Sequence, residues 1–508
     1  MKYSDSSYCH APEPGKSGRP TYCNPLPIPE IPRGTDEWFP LQAEMFDPGR
    51  RPDSVSGPDY RSISDPTVFY SNNRWYLYPS YGMAWVSEDF VSWRHIRTSP
   101  FCPKYSPHIC RWKHGFLMTS WYCPLYTAET PLGPFKKLGP FVLPDGTEFL
   151  PCDPGIFCDE DGRLYLYANA LRPLEGITNG CSQIVGYELD PEQPCRVIRG
   201  PVVLLEMNPE AHIWERYGSR NQHPAFGWVE GPHLLKHQGR YYLIFASPNT
   251  QYKNYSLAVA YSDCGPLDGF QYQKRNPLTH REDGIVTGPG HGSVEHGPDN
   301  SLWVFYTVVA RQTYQFERRI GMDRVSVDEN GELYCPCGVT DTPQYAPAAG
   351  CEGEKLPPSP GWLPLNSWDG PVASSFSPGR NPIYATDGSC MTYWLSEPDD
   401  PAPSLLCNLK APYSVHACRI FWHDDGLDYD EGAVPGPIGF LLEGQQGDEW
   451  IPLINCTDND VEYNIDYREF LPVVCHAVRL TITKKPERIH PGIIDFTVFG
   501  LYAGPMNR

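Results

Sequence analysis

No apolar run in this chain approaches the length of a membrane-spanning helix. No C-x-x-C pair occurs among its 18 cysteines. The first lack argues against a membrane as partner, and the second removes the commonest zinc and redox motif. Cys335 and Cys337 stand in "CPC" without a companion His/Cys pair at zinc spacing. Cys158, Cys418 and Cys475 fall in strand-like runs, where a free thiol behaves as a small buried hydrophobe. The opening residues "MKYSDSSYCHAPEPGKSGRP" lack the apolar core of a secretory signal. A reduced, cytoplasmic protein is therefore expected, a removed leader being the alternative. Positive charge is also short. A formal net charge of -20 excludes a nucleic-acid backbone or an anionic membrane surface and suits a neutral ligand.

Extended helical periodicity is missing as well. In its place stand 56 Pro, 45 Gly and 13% aromatic residues, with short Tyr-, Val- and Trp-rich runs between Gly, Pro and Asp clusters. That texture is all-β. Five strand-like runs recur: "WYLYPS" from Trp75, "GFLMTSW" from Gly115, "LYLYANA" from Leu164, "YYLIFAS" from Tyr241 and "LWVFYT" from Leu302. Each follows a Gly- or Asn-containing turn. About ten residues earlier stands a polar residue beside Pro or Gly: Asp65, His108, Asp153, Glu230 and His291. Five such units suggest a five-bladed β-propeller, whose innermost strands bring equivalent positions together at one channel. Singly, each acid reads as a turn residue, since Asp-Pro commonly initiates turns. Together, they read as a carboxylate cluster.

The phrases "SDPTVFYSNNRWYLYPS", "CDPGIFCDEDGRLYLYANA", "EGPHLLKHQGRYYLIFAS" and "GPGHGSVEHGPDNSLWVFY" resemble the blade motifs of glycoside hydrolase family 43. The likeness covers roughly residues 25 to 340 and keeps the motif order. One departure is "YSPHI", with Ser106 where a Trp-Ala-Pro phrase is common. The resemblance implies Asp65 as general base, Glu230 as general acid, and Asp153 as the group that orients Glu230 and raises its pKa. An inverting enzyme needs base and acid roughly 6.5–9.5 Å apart, to leave room for water. The same resemblance makes His291 a pocket or channel-axis residue beside a structural calcium ion or a water, no other cofactor being required. His108 and Arg319 are expected to meet substrate. Trp75, Trp121, Trp214 and Trp228 are available as a stacking face for a sugar.

From about Tyr345 the texture changes. Residues 1–344 are expected to form the propeller, with an N-terminal extension over 1–40, and 345–365 a Pro/Gly-rich linker. Residues 366–508 read as a β-sandwich of jelly-roll type. "YATDGSCMTYWLSE" and the closing "IDFTVFG" resemble discoidin-like domains and family-32 carbohydrate-binding modules. The expected partner is an oligosaccharide. The expected activity is exo-acting, inverting release of a terminal pentose, with α-L-arabinofuranose first. β-D-Xylosidase and exo-β-galactanase activity are alternatives within the class, and a glycan-binding propeller without turnover is the alternative outside it.

Overall fold

A computed structural model describes residues 19–29, 63–80, 84–96, 105–174, 177–310, 317–347, 357–367, 369–426, 433 and 435–504. Parts of the expected N-terminal extension and of the 345–365 stretch lie outside these residues. Among them, helix is confined to two 3₁₀ turns, Ile213–Glu215 and Pro382–Ala385.

Five four-stranded antiparallel meanders form the blades. Their innermost strands are Thr67–Ser71, His108–Trp112, Cys152–Cys158, Glu230–His237 and Gly290–His296. The five recurrent runs of the sequence are the second strands, Arg74–Tyr78, Gly115–Thr119, Leu164–Leu174, Arg240–Ser247 and Leu302–Val309. In blade one the two strands are joined through Asn72 and Asn73 at φ 52° and 59°. A tight hairpin needs positive φ at both central residues, and Asn tolerates it.

Period-two alternation then builds the ring, because successive side chains point to opposite faces of a strand. Trp75 and Leu77 pack toward blade five, while Tyr76 and Tyr78 pack toward blade two. In blade three, Leu164 and Leu166 face blade two, while Tyr165 and Tyr167 face blade four. Leu243 and Phe245 of blade four return to blade three, while Tyr242 and Ile244 meet blade five. These strands read as continuous apolar runs because both of their faces are buried. The ring closes where Trp303 and Phe305 of blade five join Trp75 and Trp85 of blade one, with Tyr22, Leu26 and Ile28 from the N-terminal segment. Ser293 stitches the same seam: its hydroxyl accepts from Val68 N at 2.9 Å and donates to Pro66 O at 3.0 Å.

The C-terminal domain is an antiparallel sheet built on long strands at Ser404–Asp425, Ile465–Lys484 and His490–Tyr502. Register shifts near Asn408–Tyr413 and Val415–Ala417 bend it over a core of Trp394, Trp422, Phe440 and Phe496. Asp387 holds its own turn, accepting from Ser389 N and Thr392 Oγ1 at 2.9 and 2.7 Å.

This domain is docked on the propeller. Ile285 and Ala310 of the propeller share one apolar cluster with Tyr393, Leu395, Phe421, Ile465 and Ile494. Arg419, 3% exposed, pairs with Asp495 at 2.9 Å. It also donates to the carbonyls of Asn24 and Asp341 at 2.8 and 2.6 Å. Glu469 accepts from Thr21 N and Oγ1 at 2.6 and 2.7 Å. A short strand, Thr21–Tyr22, pairs in turn with Gln344–Tyr345. Ending the chain after Pro347 uncovers this apolar surface and orphans the carbonyls that Arg419 caps. The shortened protein is expected to melt several degrees lower and to aggregate on heating. An unchanged melting curve by circular dichroism would show the two parts to be independent.

Candidate active site

Residues at or just before the starts of the innermost strands leave ordinary β geometry. Asp65, Ser106, Asp153 and His291 have φ of 51°, 49°, 43° and 27°, and Gly231 has 59°. Ladder register shifts accompany this at Cys152–Gly155, Glu230–His233 and Gly290–Gly292. Such bulges re-aim side chains next to sites, at a cost of about 1–3 kcal/mol for each strained non-glycine residue. Surrounding hydrogen bonds offset that cost.

Asp65 is 4% exposed. Its Oδ2 accepts from Ser64 Oγ at 3.0 Å and Ser80 Oγ at 2.5 Å. Its Oδ1 accepts from Arg318 Nη1 at 3.1 Å, with His291 Nδ1 at 3.6 Å. Its backbone N–H donates to Thr307 Oγ1 at 2.7 Å. Burial pushes its pKa up, but Arg318, His291, Ser80 and Ser64 together hold it below the usual aspartate value. Asp65 is an ionised carboxylate.

Glu230 is the opposite case. Burial raises its pKa, and the charge on Asp65 raises it further, against hydrogen bonds from Tyr255 and Trp228 and the charge of Arg318. Tyr255 OH donates to Oε1 at 2.6 Å and Trp228 Nε1 to Oε2 at 2.7 Å. Asp153 accepts from Ser106 Oγ at 2.9 Å and Asn169 Nδ2 at 2.8 Å. Its pKa is raised to about 6, first by burial and also by the charge on Glu230. Asp153 is therefore not an ordinary ionised neighbour in mild acid. It and Glu230 each oppose ionisation of the other, and the pair retains a proton at pH values where free carboxyls have lost theirs.

Ser80 connects the acids. It donates to Asp65 and accepts from Ser106 N at 3.0 Å, while the Ser106 hydroxyl donates to Asp153. The departure at Ser106 thus has a structural use, a serine bridge between two carboxylates. Gly231 is required beside them, because a Cβ there would lie 2.7 Å from the His291 ring.

Two residues expected to meet substrate have partners within the protein. His108 is 8% exposed and spent on the protein itself: Nδ1 accepts from Ile156 N at 3.3 Å and Nε2 lies 3.0 Å from His233 Nδ1. With Nδ1 accepting, Nε2 donates, and His233 passes the pattern on from Nε2 to Val294 O at 3.3 Å. This links blades three, two, four and five with neutral imidazoles, burial holding both pKa values low. Arg319 points away from the acids. Its Nε donates to Asn464 Oδ1 at 2.6 Å and its guanidinium lies over Phe421, both in the C-terminal domain. Arg318 is the arginine at the site.

His291 remains beside Asp65, yet no group of three or more His, Cys, Asp or Glu side chains among the described residues makes a metal shell. Among the tryptophans, Trp228 bonds Glu230, and Trp121 adjoins Tyr105, Tyr122 and Cys152 beside Asp153. Trp75 and Trp214 are packing residues. The sequence reading missed Ser80, Tyr255 and Arg318.

The family model for glycosyl hydrolases family 43 matches residues 51–333, more than half of the chain. A xylosidase/arabinosidase of Butyrivibrio fibrisolvens is 32% identical over 176 residues, 34% of this chain and 30% of that protein. A β-D-galactofuranosidase of Aspergillus niger is 28% identical over 218 residues, 42% of this chain and 54% of that protein. The matches thus span well under two thirds of either relative. A solved thermostable family-43 glycoside hydrolase is 25% identical, covering 57% of this chain and 97% of its own, with a TM-score of 0.47.

Replacing Arg318 by Met leaves Asp65 buried without its cation. Breaking one partner of a buried pair costs roughly 3–5 kcal/mol. Urea unfolding of Arg318→Met is expected to show a loss on that scale at neutral pH, shrinking in acid as Asp65 takes up a proton. A loss below about 1 kcal/mol would mean that the pair does not carry the charge.

Proposed function

The chain belongs to glycosyl hydrolases family 43, and from that membership we propose an exo-acting, inverting hydrolase that releases a terminal pentose, α-L-arabinofuranose first. The observation that supports it is the divergence of two buried carboxyls. Asp65 is held ionised by Arg318, while burial and the charge on Asp65 keep the proton on Glu230. A base and an acid prepared at one pH are what glycosidic hydrolysis needs.

In this reading the Asp65 carboxylate takes a proton from water as its oxygen attacks the anomeric carbon. Glu230 gives its proton to the departing glycosidic oxygen. Asp153, anchored by Ser106 and Asn169, keeps the Glu230 proton in place until then. Trp228 and Tyr255 fix the Glu230 carboxyl, and the remaining proton-transfer distance is set by substrate. The names of the two relatives support a pentose or a furanose sugar. β-D-Xylosidase activity is the second reading, carried by the double name of the Butyrivibrio protein. The C-terminal domain enters as a brace.

A panel of 4-nitrophenyl glycosides tests the substrate class. Release is expected fastest from the α-L-arabinofuranoside, then the β-D-xyloside, and no release from any member would sink the proposal. The kcat/KM profile should be bell-shaped, rising as Asp65 ionises and falling as Glu230 loses its proton. Glu230→Gln should remove the falling limb and lower turnover of unactivated linkages by about 10²-fold or more, sparing aryl glycosides with good leaving groups. Equal losses on both substrate types would contradict the acid role.

A further inference from the structure

Arg318 and Arg319 are adjacent on one strand, and their side chains serve different domains. Arg318 reaches into the site, donating to Asp65 Oδ1 at 3.1 Å and Thr250 Oγ1 at 2.7 Å. Arg319 donates from Nε to Asn464 Oδ1 at 2.6 Å and stands over the Phe421 ring at 5.7 Å. Arg319 also turns back on its neighbour, Nη1 donating to Arg318 O at 2.8 Å. That carbonyl accepts a second bond, from Ile63 N at 3.1 Å, two residues before Asp65. Arg318 therefore holds Asp65 twice, through its side chain and through the backbone that carries Ile63.

Asn464 is itself fixed. Its Nδ2 donates to Trp422 O at 3.0 Å, and Trp422 N donates to Asn464 O at 2.9 Å. Trp422 is 1% exposed in the core of the C-terminal domain. Arg319 and Asn464 are both 3% exposed, so the contact is made without competing water.

We propose that the C-terminal domain sets the geometry of the reacting carboxylate, with Asn464 and Arg319 as positioning residues that fix the Arg318 backbone beneath Asp65. The chain of contacts is short: Trp422, Asn464, Arg319, Arg318, then Asp65 and Ile63. This goes beyond a brace, since it gives the docked domain a defined part in turnover. It rests on the reading of Asp65 as base. A shift of about 1 Å in a reacting group lowers rates by about 10²-fold, so small slack in this strand matters.

The test pairs hydrogen exchange with kinetics in the full-length protein, using Asn464→Ala, Arg319→Met and their combination. Each single change is expected to speed exchange about tenfold or more in the peptide covering Ile63–Val68. It should also lower kcat about 10- to 100-fold on the best aryl glycoside, with KM within about twofold. The double variant should be no worse than the worse single, because both act through one contact. Glu469→Ala, which removes another docking contact at Thr21, should lower the melting temperature without either effect. Asn464→Ser replaces Asn464→Ala if the latter does not fold. Unchanged exchange at Ile63–Val68, additive losses, or the same pattern in Glu469→Ala would overturn the proposal. A wild type inactive on every glycoside would instead remove the hydrolase reading, and the exchange data would still decide the positioning claim.

Discussion

The site depends on keeping one negative charge where water is nearly absent. A carboxylate as buried as Asp65 ionises only if the protein replaces its hydration, and an uncompensated one would simply take up a proton. Arg318, His291, Ser64 and Ser80 make that replacement, each from a different place in the chain. Ser80 lies just past the second strand of blade one, and His291 is the second residue of the first strand of blade five. Arg318 sits at the start of the third strand of blade five. The ring must close before Asp65 has all of these partners, so the seam between blades five and one is part of the site. The same charge then acts on Glu230, raising its pKa. On the proposed reading, that one buried anion receives the proton from water and helps keep another in reserve.

Much of this was legible from period and offset. Alternation within "LYLYANA", "YYLIFAS" and "LWVFYT" corresponds to side chains that face successive neighbouring blades. The fixed spacing from each polar residue to its strand located five residues at the entrances of the innermost strands. What the offset does not convey is where each side chain is spent. His108 occupies the right position but is used up by Ile156 and His233, a pairing between blades that no local pattern records.

The arginine choice was decided by parity. In "RRIGMD", Ile320 and Met322 pack in the seam with blade one, so the even-numbered Arg318 shares their side of the strand. Arg319 is turned to the other side, where Phe421 and Asn464 of the C-terminal domain receive it, the latter 145 positions later. Ser80, Tyr255 and the use made of Ser106 were illegible for a related reason. A hydroxyl becomes a site residue only through the partner that folding supplies, and these partners are carboxylates on other strands. The docked C-terminal domain follows the same logic: Arg419 and Glu469 look like surface charges in sequence, yet cap carbonyls and a strand end of the propeller.

On the proposed reading, Asp65 activates a water that attacks on the face away from the leaving group. That central claim is tested most directly by proton NMR of the sugar as it is released, recorded before mutarotation scrambles it. The account predicts that the first product carries the anomeric configuration opposite to that of the substrate. Release with retained configuration would contradict it, because Asp65 would then be acting as a nucleophile and not as a base.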